Sequence, residues 1–146
     1  MNTSSLTTFE ACVLQSRAYR NLRDFMVEQL KPYDLTMMEW VLLGLVNASM
    51  PEGMTPSEIS KTIDVGLPMV TNMVDRVAQM GLVRSDKDLH DRRRRIVVAT
   101  DKGSVMAGDI EAHNRVALRL WLADIDREIL NGYIETMGII SEKKIN

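Results

Sequence analysis

Apolar residues at Phe9, Val13, Tyr19, Leu22, Met26 and Leu30 recur every three or four positions, which predicts a long helix with one apolar face, stopped by Pro32. Thr36-Met37-Met38-Glu39 then has the form of a capping box, in which hydroxyl and carboxylate each satisfy a free N–H of a helix's first turn. It opens Trp40-Val41-Leu42-Leu43-Gly44-Leu45-Val46, too continuously apolar for a surface element and therefore expected at the centre of the core. Residues 47–54 read as a loop carrying Pro51 and Gly53. A second box, Thr55-Pro56-Ser57-Glu58, begins a short helix that Asp64-Val65-Gly66 interrupts. Pro68 opens another, with Val70, Met73, Val74 and Val77 on one side, Asn72, Asp75, Arg76 and Gln79 elsewhere on the surface, and Gly81 as its stop. Leu82-Val83 and Ile96-Val97-Val98-Ala99 are expected strands of a hairpin. Thr100-Asp101-Lys102 caps a long helix, and a break near Ala123-Asp124 precedes a last one carrying Ile129, Leu130, Tyr133, Ile134, Met137 and Ile140.

The expected class is therefore mainly α with one small β-hairpin. Two short helices joined by a tight turn and followed by a hairpin match a winged helix-turn-helix, although periodicity alone leaves a helical bundle as a competitor. Charge favours the first. The chain has 18 basic and 20 acidic side chains, a net −2, yet Arg84 to Lys102 hold seven basic and four acidic residues. That segment is +3 (7 − 4) and the remainder −5, so the hairpin is a basic patch on an acidic body, the footprint of a specific polyanion contact.

Composition narrows the function classes. A chain of 146 residues, 45% hydrophobic and 26% charged, fits one ordinary globular domain. Cys12 is the only cysteine, so no intrachain disulfide forms and a reducing setting is the natural reading. The opening MNTSSLTTFEACVLQ lacks the organisation of a signal peptide, and no apolar run reaches the roughly 20 residues of a membrane span, so a cytoplasmic protein is expected. His90 and His113 are the only histidines. With no Cys or His at metal-ligand spacing, no nucleophile motif and no phosphate-cradling glycine loop, neither an enzyme nor a metal or cofactor site is expected.

Val70-Thr71-Asn72-Met73-Val74-Asp75-Arg76-Val77, then Gly81-Leu82-Val83, Asp91-Arg92-Arg93 and Thr100-Asp101-Lys102-Gly103, together resemble the signature of the MarR (multiple antibiotic resistance regulator) family. The Asp-Arg-Arg hairpin followed by Thr-x-x-Gly is the specific part, and the helix order extends the likeness over the whole chain. The resemblance implies one MarR-like domain, with a winged DNA-binding lobe at 34–102 and a helical dimerisation region at 1–33 and 103–146. It implies a homodimeric transcription factor on a palindromic operator, usually a repressor, often released by a small phenolic or aromatic acid. Pro68 and Met69 stand where the family often has Ser or Thr, Asn72 where an arginine is common, and Ser85 where another usually falls.

The candidate DNA-binding residues are Thr55, Ser57, Pro68, Met69, Thr71, Asn72, Arg76, Asp91, Arg92, Arg93, Arg94 and Arg95. Asparagine can pair with adenine and arginine with guanine in the major groove, while hydroxyls at a helix start can meet phosphate. Thr55 reads equally well as a cap alone. On a strand alternate side chains point to opposite faces, so Arg92 and Arg94 are expected to share one face and Arg93 and Arg95 the other, with Asp91 pairing and posing one of them. The resemblance gives the minor-groove role to Arg93 and the orienting role to Asp91, leaving the other three for phosphate contacts or bracing. Arg17 and Arg20, with Met37 and Trp40, are candidates for an effector pocket. Cys12 falls near the reactive cysteine of the family's peroxide-sensing branch, but Met26 and Met37 stand where that branch has tyrosines, and a buried structural thiol is the first expectation. The alternatives to a ligand-relieved DNA-binding regulator are thus a thiol-based peroxide sensor and a helical protein-interaction module without DNA binding.

Overall fold

Three Thr-x-x-Glu sequences start helices in the same way. In the computed structural model, which describes residues 5–145, Thr7, Thr36 and Thr55 each accept the N–H of the glutamate three residues on, and that glutamate accepts the threonine's own N–H. These boxes open α1 (Thr8–Leu30), α2 (Met37–Ala48) and α3 (Pro56–Ile63). The box at Thr7 was not among the sequence expectations, whereas those at Thr36 and Thr55 were. Helix α4 (Leu67–Gln79) starts from Gly66 with no side-chain cap, and Gly81 follows it at φ 75°, a left-handed turn that favours glycine.

Strands β1 (Val83–Lys87) and β2 (Arg95–Ala99) pair antiparallel, Val83 opposite Ala99 and Lys87 opposite Arg95. The first strand runs four residues further toward the tip than Leu82-Val83 predicted, because its pairing is set by β2 and not by its own apolar content. Met54, read as loop, adds a bridge: its N–H and C=O bond Val97 at 3.0 and 2.7 Å. The hairpin returns into α5 (Asp101–Trp121), and α6 (Arg127–Ser141) follows from an Asp126 cap.

The described residues form two compact units that meet within α5, at His113–Asn114. In the first, Leu30, Leu42, Leu43, Val46, Ile59, Val70, Val77, Leu82, Val97 and Ile110 are fully buried. Each such side chain contributes about 1.5–3 kcal/mol relative to exposure, and they come from α1 through α5, so helices and hairpin share one core. The Thr-Asp-Lys-Gly stretch locks its lower edge. Thr100 Oγ1 donates to Gly81 O at 2.6 Å and accepts the Gly103 N–H, while Lys102 Nζ donates to Met80 O at 2.7 Å. Gly103 lies so close to Leu82 that a Cβ there would stand 1.9 Å from its carbonyl oxygen. In the second unit α6 buries no residue.

Candidate nucleic-acid interface

The hairpin tip is folded by two aspartates. Asp88 Oδ1 accepts the His90 N–H at 2.9 Å, and Asp91 Oδ1 accepts the Arg93 N–H at 3.0 Å. The Arg94 N–H closes a turn on Asp91 O, and Arg94 O receives the Asp88 N–H. This corrects the strand reading of the arginine block. Arg92, Arg93 and Arg94 lie in the turn and only Arg95 is in β2, so alternating strand faces do not sort the four. Asp91 spends an oxygen on backbone and so poses the turn, where the sequence suggested pairing with an arginine side chain.

The four side chains divide by their partners. Arg95 donates to Ser85 Oγ at 3.1 Å and Ser85 O at 2.9 Å, a diagonal brace across the hairpin. Arg94 approaches Asp88 at 3.9 Å. No hydrogen bond or ion pair holds the guanidinium of Arg92 or Arg93 among the described residues. Ser85, singled out only as a departure from the family pattern, is therefore the brace's acceptor. Its hydroxyl and carbonyl were invisible as partners until the register was known.

Arg93, Arg94 and Arg95 line a hollow of about 380 Å³ with Ser57 at the start of α3 and Leu67 and Thr71 at the start of α4. Elements up to 40 residues apart in sequence thus converge on one cationic recess. Thr55 also reaches it, but is 6% exposed with its hydroxyl accepting the Glu58 N–H, so of the two readings the structure supports the cap. Ser57 is exposed and free of the capping box. The Thr55 N–H and hydroxyl, helped by the charges of Arg94 and Lys61, hold the Glu58 carboxyl below the usual range, and that anion moderates the positive recess. Pro68, Met69, Thr71 and Asn72 are all exposed on the first turns of α4; Thr71 Oγ1 donates back to Leu67 O at 3.0 Å. Leu67, 46% exposed beside the arginines, escaped the sequence reading because an apolar first-turn residue looks like core.

Arg76 is elsewhere. It is half-buried, with its guanidinium 2.6 Å from Glu39 and 3.0 Å from Asp34 O, so the expectation of a free base-reading side chain does not fit the geometry. A carboxylate 37 residues away in sequence captures it.

The effector candidates are not gathered into one pocket. Met37 lines a hollow with Val27, Lys31 and Leu35, whereas Trp40 edges a groove with Gly44, Leu45, Ala107 and Gly108. Arg17 and Arg20 are exposed on α1. Cys12 is exposed in the isolated chain, against the expectation of a buried thiol, because the first half of α1 contributes nothing to the core: Met26 and Leu30 are its buried residues. Among the described residues no helix is long and apolar enough to cross a membrane.

Comparison with known proteins agrees with this geometry. The fold is shared with a MarR-family transcriptional regulator from Rhodococcus sp. RHA1, at 20% identity and TM-score 0.84 over 97% of this chain and 99% of that one. It is shared with CouR of Rhodococcus jostii RHA1, solved with p-coumaroyl-CoA, at 22% identity and TM-score 0.78 over 91% and 92% of the two chains. S. aureus MepR, solved as a DNA complex, matches at 17% identity and TM-score 0.77 over 93% and 97%. Likeness at such identities speaks for the fold. Residues 35–94, which carry the helix-turn-helix and the arginine turn, match the MarR family model itself. The chain thus carries a stretch, residues 35–94, that matches the MarR family model, within the fold of solved MarR-family transcriptional regulators.

Proposed function

We propose that the protein is a homodimeric transcriptional regulator that binds double-stranded DNA at a palindromic operator. The observation that carries this reading is the cationic recess where the arginine turn meets the starts of α3 and α4. Helix α4 enters the major groove with Asn72 toward base edges, its uncapped N-terminus and Ser57 face phosphates, and Arg93 extends from the turn into the minor groove. Arg94 and Arg95 hold the turn's shape and add positive potential. Exposed apolar side chains on α1, α5 and α6, among them Phe9, Val13, Leu120 and Ile134, support pairing with a second copy.

The protein acts as a repressor that a small aromatic acid releases. The groove between α2 and α5 supports an effector site: Trp40 and Leu45 offer apolar surface, and neither Gly44 nor Gly108 has a side chain to fill it. Binding to DNA from the gene's own upstream region, measured across a salt series, tests the core of the reading. Specific binding by a dimer should weaken steeply with salt, and Arg93→Ala should weaken it further. Salt-insensitive or absent binding to every such fragment would leave a protein-interaction module as the better reading. A second mode of release to test is oxidation of the Cys12 thiol, which is exposed in the single chain, by peroxide. If peroxide frees Cys12→Ser protein from DNA as readily as wild type, that mode is eliminated.

A further inference from the structure

Arg76 follows Asn72 by one turn of α4, on the side where a base-reading arginine is expected, yet its guanidinium is turned back into the lobe. Nη1 donates to Glu39 Oε2 at 2.6 Å and lies 3.5 Å from Met80 Sδ. Nη2 donates to Asp34 O at 3.0 Å and stands 3.5 Å from that residue's carboxylate. Glu39 is 5% exposed, and the same Oε2 accepts the Thr36 N–H at 2.9 Å that closes the α2 capping box. One guanidinium thus joins α4 to two separate points at the start of α2 and the turn before it.

A planar fork held at two points defines a rotation as well as a distance, which a single ammonium cannot do. On a helix, a residue four positions earlier lies only about 40° round the axis. Whatever fixes Arg76 therefore fixes the direction in which Asn72 projects. We propose that Arg76 is a positioning residue for the DNA contact: acting through Glu39 and Asp34 it sets the roll of α4, and it reads no base itself. The proposal rests on the DNA-binding reading above and adds to it the means by which the reading helix is aimed. Loss of the arginine would also leave a buried carboxylate without its counter-charge, so α4 would shift to let water reach Glu39.

The test is a double-mutant cycle of Arg76→Met and Glu39→Gln. Glutamine still completes a capping box, so α2 keeps its start and only the ion pair is weakened. Each single variant should lose about tenfold in operator affinity, and the double variant should lose little more than the worse single one. The ratio of operator to unrelated-DNA affinity should fall, while the slope of log affinity against log salt stays that of wild type, because no phosphate contact is removed. Arg76→Lys should recover part of the loss. Additive losses, a slope shallower by about one unit, or discrimination lost at a single base pair would overturn the proposal, since those are marks of a direct contact. Amide hydrogen exchange on free protein decides it independently of DNA. Both single variants should speed exchange across residues 67–79 to the same extent, and unchanged exchange there would overturn the brace. A wild type that binds none of its upstream fragments would sink the function proposed above, with the exchange measurement still judging Arg76.

Discussion

The two compact units use similar apolar residues for opposite purposes. Up to His113, Leu42, Leu43 and Val46 of α2, Val70, Val74 and Val77 of α4 and Val97 of β2 are hidden in one core. From Asn114 on, Val116, Leu120, Ile129, Ile134, Ile139 and Ile140 are all at least half exposed in the isolated chain. Helix α6 has apolar residues at core-like spacing and buries none of them within the chain. The lobe therefore carries its own stability, whereas the C-terminal helices present apolar surface that the second copy proposed above would cover.

Breaking each unit separately should expose that difference. Leu43→Ala should lower unfolding free energy by about 2–5 kcal/mol, while Ile134→Ala changes it by no more than about 0.5 kcal/mol under monomeric conditions, both read by denaturant titration. Equal losses would mean that α6 packs as tightly as the lobe. Introducing Ile129→Glu with Ile134→Glu should weaken self-association at least about a hundredfold, or roughly 2.7 kcal/mol, in sedimentation, without unfolding the lobe. A dimer that survives both charges would remove α6 from the interface. Gly103→Ala should cost about 1–3 kcal/mol in thermal unfolding, since its Cβ would meet the Leu82 carbonyl, whereas Gly138→Ala, with open space around it, should cost nothing.

The smallest effect concerns the edge of the recess. Thr55→Ala should destabilise the lobe by about 1 kcal/mol. It should also flatten part of the acid dependence. The Glu58 carboxyl is held below its unfolded value, so its contribution is present above the unfolded pKa and is lost as pH falls through the folded one. Wild-type stability should therefore decline below about pH 4.3, the ordinary glutamate value, more steeply than that of Glu58→Gln. Parallel curves would show that the box does not hold the carboxylate ionised.

Within the interface, the residues legible in sequence were those whose role is local. The box at Thr55 and the stop at Gly81 each depend on atoms within a few residues. The fates of the arginines were not legible. Arg76 is captured by Glu39 and Arg95 by Ser85, partners 37 and 10 residues away that enter reach only when α2 packs on α4 and the hairpin closes. The polar face of α4 looked uniform in sequence because periodicity reports which side a residue lies on and nothing about what approaches it.

The helices, the boxes at Thr36 and Thr55, the hairpin and the place of the basic cluster were legible in the sequence alone, because capping, apolar period and turn chemistry act over three to five residues. Tertiary structure decided that the arginine block bends as a turn, that Arg95 braces Ser85, and that Thr55 is sealed as a cap. It also decided that Cys12 stands outside the lobe's core and that Arg76 faces inward. A guanidinium's partner is chosen by which carboxylate or carbonyl the packing brings within about 3 Å, and that distance exists only in the assembled fold.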